Sequence, residues 1–381
     1  MKQTISATRI FTGESYLSDY AILIEHDRIV ELKPLSQIDT HAESFHFFDG
    51  LLCAGFIDLQ VNGGGGLLFN DQPQVQTLYT MAEAHRSFGT TSILPTLMSD
   101  SPEIMAKAIH AANAVHALKP SQLLGIHIEG PFFNVAKKGI HNEKYLRQLT
   151  TDDIEILAKA EGTRLLTLAP EKTAVDLIKQ LSELGYQVWA GHSNADADSV
   201  NQAIAAGLSG FTHLYNAMSM LSAREPAMLG SALVTDHCWA SVIADGHHLH
   251  PTSLQIAMRC KPAGKLLLVS DAMSTVGTDG ADFQLDGQTI YAVDGVLKNA
   301  QGTLAGSAIS LLDAVNYVQD ALAVEEAEAI RMATMYPAQA MGLTDQLGEL
   351  KPGYKANIIH ISDKKVCHTW IDGQMKKHIE G

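Results

Sequence analysis

Eight short apolar runs separated by amphipathic stretches constrain this chain more than any other feature of its sequence. The runs occupy residues 51–61, 91–97, 123–128, 164–168, 186–190, 210–214, 239–244 and 265–269. Between most of them apolar residues recur at helical spacing, over 75–87, 101–117, 152–160, 173–184, 196–206 and 251–259. Strand-like runs alternating with helix-like stretches imply parallel βαβ units, because parallel neighbours need a long crossover between them. Eight such units favour a closed α/β fold, the (β/α)8 TIM-type barrel, over an open sheet. Further helical patterns at 308–322 and 324–334 would complete the outer ring. Both chain ends read differently. Segments 4–12, 20–25, 28–32, 356–361 and 366–371 are short and rich in β-branched residues, with polar turns between them. We expect the ends to pair into one small β-sandwich domain, 1–52 with 350–381, bracketing a barrel at 53–349. The 381 residues suit that division, since a barrel needs about 250.

Polar, titratable residues follow the apolar runs. Run one ends in Asp58, Gln60 and Asn62, and run three in His127 and Glu129. His192 follows run five, His213 and Asn216 belong to run six, Asp245, His247 and His248 follow run seven, and Asp271 follows run eight. In a barrel the carboxyl ends of all strands converge on one face, where active sites sit. Residues distant in sequence thereby become neighbours. Two imidazoles and a carboxylate are a familiar set for a catalytic divalent metal that keeps a position open for water. Glu129, His192 and His213 supply that set. Asp271 over the same mouth would act as general base and then acid, while the metal lowers the pKa of a water and polarises a carbonyl. His127 shares a strand face with Glu129 and is expected to orient a ligand.

Each residue also has an ordinary reading. A lone histidine is most often a satisfied polar group, and His85, His110, His116 and His237 are read that way. Asp271 could be a helix N-cap, but its Ser-Asp-Ala setting at the end of run eight weighs towards catalysis. The glycine run 63–66 lacks the context of a phosphate-binding loop and reads as a turn that needs positive φ.

Charge narrows the possible partners. A formal net charge of −15 disfavours nucleic acid and anionic membrane. An anionic substrate would have to be held by a few local cations, and Arg224 on the loop after run six is one candidate, because guanidinium binds phosphate bidentately. The four cysteines, Cys53, Cys238, Cys260 and Cys367, are scattered. They indicate neither a disulfide framework nor a thiolate zinc site. There is no signal-like apolar segment at the start and no run long enough to span a bilayer, so the expected location is the cytoplasm.

Several motifs together carry a family resemblance. They are Gly125-Ile-His-Ile-Glu-Gly-Pro-Phe, Lys138-Gly-Ile-His141, Gly191-His192-Ser-Asn, Thr212-His-Leu-Tyr-Asn-Ala-Met, Ala244-Asp-Gly-His-His, Leu268-Val-Ser-Asp271-Ala and Gly302-Thr-Leu-Ala-Gly306. Over nearly the whole chain the sequence resembles the N-acetylglucosamine-6-phosphate deacetylases, a family within the amidohydrolase superfamily. The resemblance implies hydrolysis of the acetamide of N-acetyl-D-glucosamine 6-phosphate to D-glucosamine 6-phosphate and acetate. It implies Glu129, His192 and His213 as metal ligands, Asp271 as base and acid, and His141 as the group that polarises the amide carbonyl. It places Ile140, Asn216, Ala217, Arg224, His248, Leu304, Ala305 and Gly306 around the sugar phosphate. It also implies a homodimer in which the Arg224 loop reaches the neighbouring site.

One departure matters. Many amidohydrolases end strand one in His-x-His and hold a second metal there, whereas this chain has Gln60-Val-Asn62. Neither amide is a strong transition-metal ligand, so one divalent metal per subunit is expected. Zinc is the first choice, and Fe2+, Mn2+ and Co2+ suit the same donors. Two other readings compete. A cyclic-amide hydrolase would carry the His-x-His pair and a bridging lysine on strand four, where this chain has Ala169-Pro170-Glu171. A catalytically dead binding barrel should have lost a ligand or the acid/base residue, and all four are present.

Overall fold

The computed structural model describes residues 2–38, 43–118 and 121–378. Eight parallel strands form one sheet in sequence order: β1 (Phe56–Val61), β2 (Thr90–Met98), β3 (Gly125–Glu129), β4 (Thr163–Leu168), β5 (Gln187–Ala190), β6 (Leu208–Phe211), β7 (Trp239–Val242) and β8 (Leu266–Leu268). A helix follows each of the first seven: α1 (Val75–Arg86), α2 (Pro102–His116), α3 (Thr151–Leu157), α4 (Val175–Glu183), α5 (Ala197–Ala205), α6 (Ala227–Val234) and α7 (Pro251–Cys260). Beyond β8 come α8 (Leu311–Leu322), α9 (Glu326–Ala333) and α10 (Met335–Ala340). The expected TIM-type barrel is present.

Local chemistry explains several of these boundaries. Ser101 caps α2 through the Ile104 N–H, with Pro102 in the first turn, where its missing donor costs nothing. Thr150 with Asp153, and Ser310 with Asp313, form capping boxes on α3 and α8, each satisfying orphan helix donors. The strands are buried on both faces, so they read as continuous apolar runs.

The β8–β1 seam is not a regular ladder. It is closed by an isolated bridge between Val61 and Ala272 and by hydrogen bonds from the Asn62 and Gly63 N–H groups to the Ala272 carbonyl, at 2.9 and 3.0 Å. Side chains complete it. The Ser270 N–H donates to Asp58 Oδ1 (3.2 Å) and the Ser270 hydroxyl to the Gln60 carbonyl (3.3 Å). The seam therefore ties the end of β1 to the segment that carries Asp271.

The two chain ends build the second unit. A four-stranded sheet runs in the order Arg28–Pro34, Tyr20–Glu25, Lys2–Ser6, Glu43–His46. A six-stranded sheet runs in the order Gln374–Lys377, Lys365–Ile371, Ile358–Ser362, Leu51–Ala54, Arg9–Phe11, Tyr16–Leu17. Ile5, Ile22, Ile24, Leu52, Ile358 and Trp370 form a core between them, separate from the barrel's own. The expected strand at 4–12 is thus two strands in different sheets.

Three further features differ from the sequence reading. Run 51–61 is two strands broken at Gly55, the first in the six-stranded sheet and the second in the barrel. A Cβ at Gly55 would lie 2.1 Å from Thr91 Oγ1, so only glycine fits at this crossing. Helix α6 had no counterpart in the reading because it is apolar all round. Its residues are buried except Val234, so no 3.6-residue contrast marks it. A three-stranded antiparallel element, Phe283–Leu285, Gln288–Val293 and Val296–Lys298, follows β8. It had a signal, Asp286-Gly287 and Asp294-Gly295 between alternating apolar residues, which favours two-residue hairpin turns.

Candidate metal centre and active site

At the carboxyl end of the barrel, β3, β5 and β6 deliver Glu129, His192 and His213 to one point. His213 Nε2 lies 3.1 Å from Glu129 Oε1, His192 Nε2 lies 3.5 Å from it, and the two Nε2 atoms are 3.0 Å apart. All three side chains are buried. Among the described residues they form the one group of three potential ligands whose donor atoms all lie within 4.8 Å of one another. His192 Nδ1 donates to the Lys137 carbonyl at 2.9 Å, which leaves the Nε2 lone pair facing inward, as metal-ligating histidines require. His213 Nδ1 is buried without such a partner. Two imidazole nitrogens at contact distance beside a carboxylate, away from water, are the donor set for a cation between them. Burial raises the Glu129 carboxyl, but the neighbouring imidazoles of His192 and His213 outweigh this and hold it well below the usual range.

Asp271 joins this group through amides. Gln60 Nε2 donates to Glu129 Oε1 (2.8 Å) and to Asp271 Oδ1 (3.1 Å), and Asn62 Nδ2 donates to Asp271 Oδ1 (2.6 Å). Gln60 thus straps the two carboxylates together, and Asn62 braces Asp271 from the same strand end. Burial, then the nearby Glu129 charge, push Asp271 up to about 7. A carboxylate that accepts from two amides beside the cation site is placed to take a proton and return it.

His192, His213 and Asp271 all adopt positive φ, at 49°, 37° and 52°. Non-glycine residues rarely do so, and such conformations gather at functional sites.

His141 lies beside the ligand group, its ring edge-on to His192 with centroids 4.5 Å apart. Its Nδ1 accepts from the Ser99 N–H (3.2 Å) and lies 2.8 Å from the Ser99 hydroxyl. An accepting Nδ1 puts the proton on Nε2, an assignment that follows from the hydrogen-bond network. Burial, with a smaller contribution from His192, lowers its pKa to about 3, so the ring is a neutral N–H donor at pH 7. His248 is fixed by Nδ1, which lies 2.6 Å from Asp245 Oδ2. Asp245 also accepts from the backbone N–H groups of His247 and His248.

A cavity of about 320 Å³ opens over the group. The four central residues line it together with Asn62, Ile140, His141, Asn216, Ala217 and His248, and Leu304 and Gly306 also reach it. Gln60 is buried directly beneath. Three expected residues sit elsewhere. Ala305 is buried against Met273 and Leu297, and its N–H donates to the Leu297 carbonyl. His127 touches no ligand by hydrogen bond. It lies between Thr96 (3.3 Å) and Thr167 (2.8 Å), one layer lower in the barrel, so its expected orienting role has no contact to act through. Arg224 is exposed on the loop before α6, away from this cavity.

Two residues were not singled out from the sequence. Ser99 follows β2, and the rule of strand ends would have found it had run two been extended to Met98. Lys137 also lines the cavity, where it is the one lysine or arginine among the described lining residues. It had no signal beyond lying beside the Lys138-Gly-Ile-His141 motif.

An eight-stranded parallel barrel with a buried Glu-His-His group and an adjacent carboxylate defines a metal-dependent hydrolase of the amidohydrolase type. Sequence comparison agrees: residues 51–376 match the amidohydrolase family, and the chain belongs to it. More particular likenesses lie within that family. The chain is 40% identical over 372 residues to an N-acetylgalactosamine-6-phosphate deacetylase of a Shewanella species, covering 96% of this chain and 94% of that protein. It is 32% identical over 383 residues to the N-acetylglucosamine-6-phosphate deacetylase of Haemophilus influenzae, covering 99% and 100%. The crystal structure of N-acetylglucosamine-6-phosphate deacetylase from Pasteurella multocida superposes with a TM-score of 0.96 at 33% identity, covering 99% of this chain and 100% of that one.

Proposed function

We propose that this protein hydrolyses the acetamide of N-acetyl-D-glucosamine 6-phosphate, releasing acetate and D-glucosamine 6-phosphate. The observation that carries this reading is the strap of Gln60 and Asn62, which sets Asp271 against the Glu129–His192–His213 group at the floor of one cavity. A divalent metal held by Glu129, His192 and His213, zinc before iron, manganese or cobalt, would lower the pKa of a water and polarise the amide carbonyl. Asp271 takes a proton from the attacking water. The water oxygen bonds to the acetamide carbon, and His141 donates its Nε2–H to the carbonyl oxygen as charge develops there. Asp271 then returns the proton to the nitrogen as the C–N bond breaks, so the amine leaves neutral. The strand-one amides suit hydrogen bonding and not ligation, which supports one metal per subunit.

Asn216, Ala217, His248 and the 304–306 loop are suited to the sugar phosphate. Among the described residues lining the cavity, Lys137 is the one lysine or arginine. The loop carrying Arg224 also exposes Met220 and Leu221, at 59% and 55%, which fits burial against a second copy that places Arg224 at the neighbouring site. Cys53 and Cys238 are buried thiols outside any disulfide, which fits a reducing cytoplasm. Among the described residues no helix is long and apolar enough to cross a membrane.

The likeness to an N-acetylgalactosamine-6-phosphate deacetylase supports a second reading in which the preferred sugar is the C4 epimer. The acetamide and phosphate are the same in both, so the same residues would serve. Acetate release from each 6-phosphate, before and after chelation and with zinc restored, tests both readings. Release that stops with chelator and returns with zinc is expected, with kcat/KM naming the preferred epimer. No release from either sugar under any metal would overturn the reaction.

A further inference from the structure

We infer that Glu171, just past the end of β4, is a positioning residue for the metal ligand His192. This rests on the reading of His192 as a ligand. The Glu171 carboxylate accepts three hydrogen bonds: from Asn134 Nδ2 (2.9 Å) and the Asn194 N–H (2.7 Å) on Oε1, and from the Ser193 hydroxyl (2.7 Å) on Oε2. All three donors belong to the two segments that hold His192. Ser193 and Asn194 follow it directly, in the turn where His192 takes its left-handed φ. Asn134 lies on the loop after β3, which grips His192 at three points. The Asn134 N–H donates to the His192 carbonyl at 3.0 Å, the Phe133 ring stacks on the imidazole with centroids 4.3 Å apart, and the Lys137 carbonyl accepts from Nδ1. Glu171 therefore staples the gripping loop to the turn that presents the ligand.

The chemistry asks for a carboxylate. Every group facing Glu171 is a donor, and an ionised carboxylate is the side chain that only accepts. A glutamine of the same shape would turn an NH2 towards the Ser193 hydroxyl, which already accepts from the Ala195 N–H at 3.0 Å. One donor would then be left without an acceptor. A left-handed backbone at a β-carbon-bearing residue persists only where its surroundings over-determine it, and here a single side chain supplies three of those constraints.

The test is zinc affinity by chelator competition on the full-length protein, a readout independent of any substrate. Outer partners of metal ligands typically contribute about 10–100-fold in affinity. Glu171→Ala should weaken zinc binding within that range, and Glu171→Gln by less. In both variants, saturating zinc should restore most of kcat. Unchanged zinc affinity in a folded Glu171→Ala variant would overturn the inference. If that variant fails to fold, Ser193→Ala and Asn134→Ala each remove one strut, and each should weaken zinc several-fold. Wild-type affinity in both would overturn it equally. Wild-type protein that takes up neither zinc nor any other divalent metal would instead remove His192 as a ligand, and this role with it.

Discussion

Asp271 is held by two amide donors on one oxygen, Oδ1, and that arrangement makes a clean substitution possible. Asparagine keeps an acceptor oxygen for Gln60 and Asn62 but cannot take a proton from water. Asp271→Asn should therefore retain metal and still bind the sugar phosphate, while turnover falls by about 10²–10⁴ or more, the usual contribution of a general base. Metal content and kcat measured on one preparation decide it, and loss of both together would make Asp271 a structural residue. Asp58 differs. It lies at the seam, fully buried, with Oδ2 unpartnered, and burial raises its carboxyl to about 6 despite hydrogen bonds from Ser270 and Gln60. A carboxyl raised on folding stabilises the fold while protonated, and that contribution is lost as pH climbs from the unfolded value towards 6. Asp58→Asn should remove this pH dependence and gain about 1 kcal/mol or more on wild type between pH 5 and pH 8, read from denaturant midpoints at both. A constant difference across that range would exclude a protonated Asp58. The gathering of Glu129, His192, His213 and Asp271 at one cavity was legible because their strand phase was legible. Arg224 was singled out as a local cation, but it is exposed on a loop outside the cavity, and no local pattern in the sequence says where a loop side chain will point.

At the scale of elements, contrast decided what could be read. The strands of the barrel are short, apolar and bounded by polar residues, so all eight stood out. Helix α6 has no polar face, and the sequence around it offers only composition. The break at Gly55 was hidden for a different reason. Two strands that belong to different sheets follow one another with a single residue between them, and an unbroken apolar run is what both require. That glycine sits against Thr91 at the start of β2, with Oγ1, Cγ2 and Cβ at 2.1, 2.3 and 2.7 Å from where a Cβ would be. Gly55→Ala should therefore strain the junction and cost about 1–3 kcal/mol, as overpacking usually does, seen as a lower Tm. Pairing it with Thr91→Ser, which removes Cγ2, should recover part of the loss. No recovery would place the strain in the backbone and not in this contact.

For the whole molecule, the metal centre is an addition to a fold that has its own reasons to be stable. One apolar cluster runs through the barrel and its helices, and a second fills the sandwich. In between, Glu129 already has Gln60 and His213 as partners, so removing a cation does not strand a lone buried charge, the condition that makes breaking an ion pair so costly. The chelated protein should consequently stay folded at 25 °C, with far-UV circular dichroism unchanged. Binding still couples to stability, because unfolded chain cannot gather ligands from β3, β5 and β6. At a free zinc concentration of 100 times Kd the linkage is about 2.7 kcal/mol, a rise in Tm of several degrees for a chain of this size. That rise should shrink in Glu129→Gln and vanish when His192 and His213 are both replaced by alanine. Unfolding on chelation alone would mean that the cation organises the barrel mouth as well as its chemistry, and an identical Tm with and without zinc would mean that these three residues do not hold it.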